Sequence, residues 1–231
     1  MGFALITLDN HKIEKAKAFG YLNAILHLAP ASLSGRNVCP KSSAGCRAAC
    51  LNTSGYGKYR PVQAARVRKT RLLYQKPEEF RTLLRNDLAA LVRAAKRQGL
   101  IPAIRLNGTS DIVWEKRMPE IFAEFPTLQF YDYTKLSHRL KSGYTLPTNY
   151  HLTFSASENN WLECKAALER GFNVAIVFRD DIPKWFNGYA VIDGDIHDLR
   201  FLDLSPCIVG LSPKARAKKD NTGFVHAGLT S

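Results

Sequence analysis

The chain has 231 residues, of which 45% are hydrophobic and 23% are charged. Those fractions are ordinary for globular proteins and exclude disordered, collagen-like and low-complexity classes. Lys and Arg number 33 against 20 Asp and Glu, and the resulting net charge of +13 favours a polyanionic partner such as nucleic acid. No apolar run approaches the roughly 18 residues that span a bilayer. The N-terminus lacks a signal-peptide layout, so we predict a cytoplasmic protein with no membrane partner.

Three of the five cysteines lie in one short loop, CPKSSAGCRAAC, as Cys39, Cys46 and Cys50. The odd total and the missing export signal argue against a disulfide framework, and three close thiols are typical of a metal site. Three thiolates can hold a 4Fe–4S cluster that keeps one iron open. Zinc is the alternative, and it would need a fourth ligand from a distant residue. The candidates for that ligand are Cys164, Cys207 and His226.

Two basic helices are predicted after the cysteine loop. Pro61 suits a first helical turn and predicts a helix over 62–75, and a second helix follows Pro77 and ends at Gly99. Between Lys58 and Arg97 there are 12 Lys and Arg and three acidic residues, a net charge of +9. We therefore predict an exposed positive surface that binds phosphates. Its predicted members are Arg66, Arg68, Lys69, Arg71, Arg81 and Arg85.

Apolar runs and helical patterns alternate along the rest of the chain. Strands are predicted over 100–106, 127–134, 150–157, 173–179, 189–195 and 207–212, and helices over 118–125 and 160–171. Such alternation implies right-handed crossovers and a mostly parallel sheet. We predict one α/β domain over 1–231, an incomplete or compact TIM-like (β/α) barrel. Its parts are an N-terminal segment with the cysteine loop over 1–60, basic helices over 61–98, and strands and helices over 99–231.

Polar and charged residues follow nearly every predicted strand, as in LNGTSD, YDYTK and SASENN. Helix capping accounts for part of this pattern. Chemistry in parallel sheets and barrels gathers at the carboxyl ends of the strands, so we expect a shared pocket there, beside the cysteine loop. The predicted catalytic residues are Asp111, Asp132, Lys135 and Glu158.

Several of these motifs resemble known families. The succession CPKSSAGCRAACLNTSGYGKY, VQAARVRKTRLLY and GLSPKARAKKDNTGF resembles the phage "gene product 88" family from Val38 to Phe224. More remotely, the cysteine loop followed by NGTSDI, YDYTK and SASENN is similar to a phage family with radical-SAM-like barrels. That second resemblance implies that Cys39, Cys46 and Cys50 bind the cluster. It also implies S-adenosylmethionine contacts from Asn107, Gly108, Ser155, Ser157 and Glu158.

Three functions are consistent with these patterns. The first is a phage metalloenzyme, radical-SAM-like, that modifies a nucleic-acid base or nucleotide in the infected cell, with DNA preferred over RNA. Tyrosines such as Tyr56 and Tyr59 would stack on an extruded base. The second is a transglycosylase that exchanges guanine for a 7-deazaguanine with Asp111 and Asp132 as nucleophile and acid/base. The third is a non-catalytic nucleic-acid-binding protein whose cysteine loop holds a structural metal.

Overall fold

The structure is a computed structural model, and it describes residues 4–8 and 11–228. Contacts between residues divide the chain into two compact units. The first unit contains the residues up to Pro40, Tyr59–Asp132 and Thr145–His151. The second contains Lys41–Lys58, Tyr133–Tyr144 and the residues from Leu152 onward. No helix among the described residues is long and apolar enough to cross a membrane.

Seven α-helices and ten β-strands form within the described ranges. The helices are α1 (His11–Lys17), α2 (Ala44–Ala48), α3 (Arg60–Gln75), α4 (Pro77–Gln98), α5 (Trp114–Arg117), α6 (Glu120–Glu124) and α7 (Trp161–Glu169). The strands are β1 (Ile6–Thr7), β2 (Tyr21–Leu26), β3 (Ile101–Arg105), β4 (Gln129–Thr134), β5 (Tyr150–Ser155), β6 (Val174–Phe178), β7 (Trp185–Phe186), β8 (Tyr189–Asp193), β9 (Ile208–Leu211) and β10 (Val225–His226). All the helices and strands predicted after residue 60 are confirmed, with small shifts of their ends.

The strands form one mixed sheet in the order β1-β2-β3-β4-β5-β6-β9-β8-β7, and β10 pairs with β6. The pairs β1–β2 and β7–β8 are antiparallel, whereas β2–β3, β3–β4, β5–β6, β6–β9 and β8–β9 are parallel. This confirms an α/β fold with a mostly parallel sheet. The order of the described strands ends at β1 and at β7, so the sheet does not close and the predicted barrel is not confirmed.

Helix α4 shows why the first unit folds around its basic helices. Its apolar side chains recur at helical spacing, so one face of the helix is buried against β2, β3 and α3. The helix ends at Gly99, whose φ of 65° is the left-handed conformation that favours glycine. The buried face consists of Phe80, Leu84, Leu88, Leu91 and Ala95.

Strands β5 and β10 share one edge of β6 in the second unit. Phe154 and Ser155 of β5 pair with the start of β6, and β5 then ends. Val225 and His226 of β10 pair with the last two residues of the same strand. The chain that leaves β5 therefore emerges next to the closing segment of the protein, and this placement builds the site described below.

Candidate functional site

Glu158 fastens the cysteine loop in the second unit. It lies just beyond β5, and its Oε2 accepts a hydrogen bond from the Ser43 hydroxyl at 2.6 Å. Its Oε1 accepts from the backbone N–H of Gly45 at 2.9 Å. The Ser43 oxygen in turn accepts from the backbone N–H of Cys46 at 3.1 Å and so caps α2. The Glu158 carboxylate thus holds the start of the helix that carries Cys46.

The same contacts keep Glu158 ionised. Burial opposes the charged form, but the hydrogen bonds from Ser43 and Gly45 outweigh it and hold the pKa of Glu158 below its ordinary value. A carboxylate has about four acceptor positions. Because the side chain is half-buried, its oxygens can accept further donors from a molecule bound beside it.

Gly45 brings the cysteine loop against the closing segment of the chain. A Cβ atom at Gly45 would lie 2.2 Å from Thr222 Oγ1 and 2.7 Å from Phe224 Cβ, so only glycine permits this approach. The Thr222 hydroxyl donates to the Asp220 carboxylate at 2.7 Å, which fixes the closing segment in place. The glycine at position 45 therefore makes room for a neighbouring segment.

Lys135 joins the ends of β4 and β5. Its Nζ donates to the Ser155 hydroxyl at 2.5 Å and to the Ala156 carbonyl at 3.1 Å, and it lies 5.5 Å from the centre of the Phe224 ring. The predicted residues Lys135, Ser155 and Glu158 are therefore gathered around one place, although their predicted roles remain predictions. We call this group the Glu158 cluster. Its members are Ser43, Gly45, Lys135, Ser155, Glu158, Thr222 and Phe224.

Ser157, predicted to bind a cofactor, is buried in the turn that precedes α7. Its backbone N–H donates to the Asn160 side chain at 2.7 Å, and its hydroxyl donates to the Asn159 side chain at 3.3 Å. These bonds shape the turn that carries Glu158. Ser157 therefore stabilises the turn that positions Glu158.

Asp132 and Asn107 form a separate, fully buried network in the first unit. The Asp132 carboxylate accepts from the backbone N–H of Asn107 at 2.6 Å, from its side-chain amide at 3.2 Å, and from the Tyr150 hydroxyl at 2.7 Å. The Asn107 side-chain oxygen accepts from the backbone N–H of Ile112 and from the Trp114 indole. Asp132 is 0% exposed, so this network positions the segment after β3, and the catalytic role predicted for Asp132 stays a prediction.

Gly108 and Asp111 are also engaged within the first unit. A Cβ atom at Gly108 would lie 2.6 Å from Ile25 Cγ2 and 2.8 Å from the Leu26 carbonyl oxygen, so this glycine allows close packing on β2. Asp111 is buried, and its backbone N–H donates to the Val38 carbonyl at 2.8 Å. These contacts explain both residues structurally, and the predicted roles in cofactor binding and catalysis remain predictions.

The three loop cysteines are held by different surroundings. In the first unit, the Cys39 thiol donates to the Thr109 carbonyl at 3.7 Å. In the second, Cys46 and Cys50 are half-buried. Among the residues that the structure describes, no three His, Cys, Asp or Glu side chains are grouped so that they could hold a metal ion. The metal site predicted for the three thiols is therefore not shown among the described residues, and it stays a prediction.

The two distant cysteines considered as a fourth zinc ligand are buried. Burial raises the pKa of the Cys164 thiol to about 12 and that of Cys207 to about 11. Their predicted role as a fourth zinc ligand stays a prediction.

The exposure predicted for six basic residues of the two helices is found for only part of them, and their predicted phosphate binding stays a prediction. Arg66 and Lys69 are buried, and burial lowers the pKa of Lys69 to about 8. The buried face of α3 consists of Arg66, Lys69, Thr70 and Leu73, of which only Leu73 is apolar. The methylene groups of the Arg66 and Lys69 side chains therefore supply part of the packing surface of this helix. Arg81 pairs with Glu120 and with Glu78, and Arg85 pairs with Glu124. Of the six predicted residues, only Arg68 and Arg71 are exposed.

Comparison with known proteins adds one finding. No curated protein and no solved structure matches the chain. The family model described as Gene product 88 matches residues 4–228. That range includes the cysteine loop, the basic helices and the closing motif, on which the resemblance was based. The chain therefore belongs to the Gene product 88 family of phage proteins.

Proposed function

We propose that the protein is a phage enzyme that modifies a base of a nucleic acid or nucleotide, and that the reaction takes place at the Glu158 cluster. The observation that carries this proposal is that four separate parts of the sequence meet there. They are the cysteine loop, the end of β4, the end of β5 and the closing segment. The carboxyl ends of parallel strands are where α/β proteins gather binding and catalytic residues.

The chemistry of the cluster suits recognition of a base edge. An ionised carboxylate is an acceptor only, and amino groups on the edges of cytosine and adenine are donors that such a group can bind. Glu158 would accept one of these N–H groups while Ser43 and Gly45 hold it in place. Lys135 acts as a positioning residue, because its ammonium is already bonded to the end of β5.

The proposal does not depend on the three-cysteine iron–sulfur cluster predicted from the sequence. Such a cluster requires three thiolates around one centre, and the described side chains contain no such group. We therefore derive no step through a cluster, S-adenosylmethionine or zinc.

The predicted metal site can nevertheless be measured directly. We expect Cys39→Ala to leave the iron, zinc and sulfide content of anaerobically purified protein unchanged, because the Cys39 thiol is bonded to Thr109 in the first unit. Metal and sulfide would be determined by mass spectrometry and colorimetry, with Cys46→Ala measured alongside. Loss of metal from both variants would confirm the site predicted from the sequence.

The proposed activity is tested on Glu158. Nucleosides from the DNA and RNA of cells that express the wild-type protein should include one of altered mass, detected by liquid chromatography and mass spectrometry. Glu158→Gln should reduce its yield by roughly 10–100-fold, because a hydrogen bond to a charged group contributes about 1.5–3 kcal/mol. Glu169→Gln is the matched control, since Glu169 is exposed on α7.

Two results would contradict the proposal. One is an unchanged nucleoside profile in cells that express the folded wild-type protein, which would favour a non-catalytic nucleic-acid-binding protein. The other is a full yield of the altered nucleoside from Glu158→Gln, which would place the reaction elsewhere.

A further inference from the structure

Two segments of the second unit are unusually free of acidic residues. Residues 41–58 contain three Lys and Arg and no Asp or Glu. Residues 212–224 contain four Lys and Arg and a single acid, Asp220. Asp220 is buried, and it accepts hydrogen bonds from the Val225 N–H and the Thr222 hydroxyl. The exposed charge of both segments is therefore almost entirely positive.

These segments pack on each other. Ala49 at the end of α2, Ala217 and Val225 form one small apolar cluster. Ala217 lies in the short 3₁₀ helix Ala215–Lys219, which also contacts the 3₁₀ turn Leu51–Thr53. Because Ala217 faces this cluster, the basic side chains on either side of it are exposed. Those side chains are Arg216, Lys218 and Lys219.

A large aromatic side chain is exposed on the same part of the unit. Tyr56 is 74% exposed and lies in the turn Gly55–Lys58, which contacts Leu51–Thr53. Leu51 itself is 43% exposed. We call this region the loop–turn surface. Its members are Arg47, Leu51, Tyr56, Arg216, Lys218 and Lys219.

We propose that the loop–turn surface binds single-stranded nucleic acid. Exposed Lys and Arg attract phosphates without regard to sequence, and an exposed tyrosine offers a face on which an unpaired base can stack. A duplex hides its base faces, so the combination favours a single strand. On α4 of the first unit, by contrast, Arg81 and Arg85 are paired with glutamates. This inference rests on the proposed function and narrows its substrate to a single-stranded nucleic acid.

The experiment is a binding titration with fluorescent single-stranded DNA and RNA and a duplex of the same length. Replacing Arg216, Lys218 and Lys219 together with alanine should weaken single-strand binding by roughly 10–100-fold at low salt. The slope of the logarithm of the binding constant against the logarithm of the salt concentration should also become less negative by about 2. Each phosphate contact to a single strand contributes about 0.7 to that slope. The matched control removes the same charge from the exposed end of α4, as Arg93→Ala, Lys96→Ala and Arg97→Ala, and should change affinity less than threefold.

The stacking part of the proposal has its own variants. Tyr56→Ala should weaken binding by roughly fivefold to a hundredfold, the range expected for the loss of one stacked base. Tyr56→Phe keeps the ring and should bind like the wild-type protein. Thermal unfolding of each variant would show that the fold is retained, and the side chains concerned are exposed.

Three outcomes would overturn the inference. In the first, the two triple variants weaken single-strand binding equally. In the second, the wild-type protein binds duplex and single strand with equal affinity. In the third, it binds heparin as tightly as the single strand, and Tyr56→Ala has no effect. Each would show that the loop–turn surface attracts polyanions in general and does not select single-stranded nucleic acid. Binding that follows the expected pattern without any altered nucleoside in cells would uphold the inference and reject the proposed enzyme, so the two failures are distinguishable.

Discussion

Asp132→Ala should lower the free energy of unfolding by about 3–5 kcal/mol, the largest effect that we expect from any single substitution in the first unit. The Asp132 carboxylate is fully buried and accepts from the Asn107 backbone, the Asn107 side chain and the Tyr150 hydroxyl. Removing it leaves these buried donors without an acceptor, and each unsatisfied group costs about 1–3 kcal/mol. Urea unfolding followed by circular dichroism measures the change.

Two further variants sharpen this test. Asp132→Asn keeps the size of the side chain and one acceptor oxygen, so it should lose less stability than Asp132→Ala. Asp180→Ala is the control, because Asp180 is exposed and such substitutions change stability by about 0.5 kcal/mol or less. A stable Asp132→Ala protein with altered nucleic-acid chemistry would contradict the positioning role and support the catalytic role predicted from the sequence.

Gly45→Ala should separate the cysteine loop from the closing segment. The added Cβ would lie 2.2 Å from Thr222 Oγ1, 2.7 Å from Phe224 Cβ and 3.0 Å from Glu158 Oε2. The cysteine loop or the closing segment must shift to admit it, and overpacking of this kind costs about 1–3 kcal/mol, occasionally more. We therefore expect a lower melting temperature together with faster hydrogen exchange in residues 43–50 and 222–226.

Gly228→Ala provides the matched control for this substitution. Its new Cβ would meet only the Asp181 carbonyl oxygen, at an ordinary contact distance of 3.4 Å. Its stability should therefore stay within about 1 kcal/mol of the wild type. If Gly45→Ala were as stable as this control, the close approach of the two segments would be refuted.

Most helices and strands after residue 60 could be predicted, because the apolar residues in their sequences are also the residues that the fold buries. The apolar residues of α4 recur at helical spacing, and β6 is a continuous apolar run of the length of a buried strand. The hairpin of β7 and β8 was missed, although Asn187-Gly188, with φ of 50° and 83°, is a known turn signal. Strand β2 was also not predicted, although Tyr21–Leu26 is a short, mainly apolar run of the kind that forms buried strands.

The candidate site could be predicted only in part. Lys135, Ser155 and Glu158 were found because polar residues at strand ends are visible in the sequence. Ser43 and Thr222 were not singled out, although both lie within quoted motifs, because their partners are far away in the chain. The burial of Lys69 was missed for a related reason, since a helix pattern does not show which of its faces another segment will cover.

The anchoring of the cysteine loop also bears on how the protein is made. The Ser43–Glu158 bond joins residues 115 positions apart, and Gly45 meets Thr222 even later in the chain. Contacts of such long sequence separation form late, because the intervening chain must first lose its freedom. During synthesis at about 5–20 residues per second, the loop thiols would emerge well before Glu158 exists to hold them. The half-buried Cys46 and Cys50 would then be accessible to thiol reagents on the nascent chain, and they would become protected only after the closing segment leaves the ribosome.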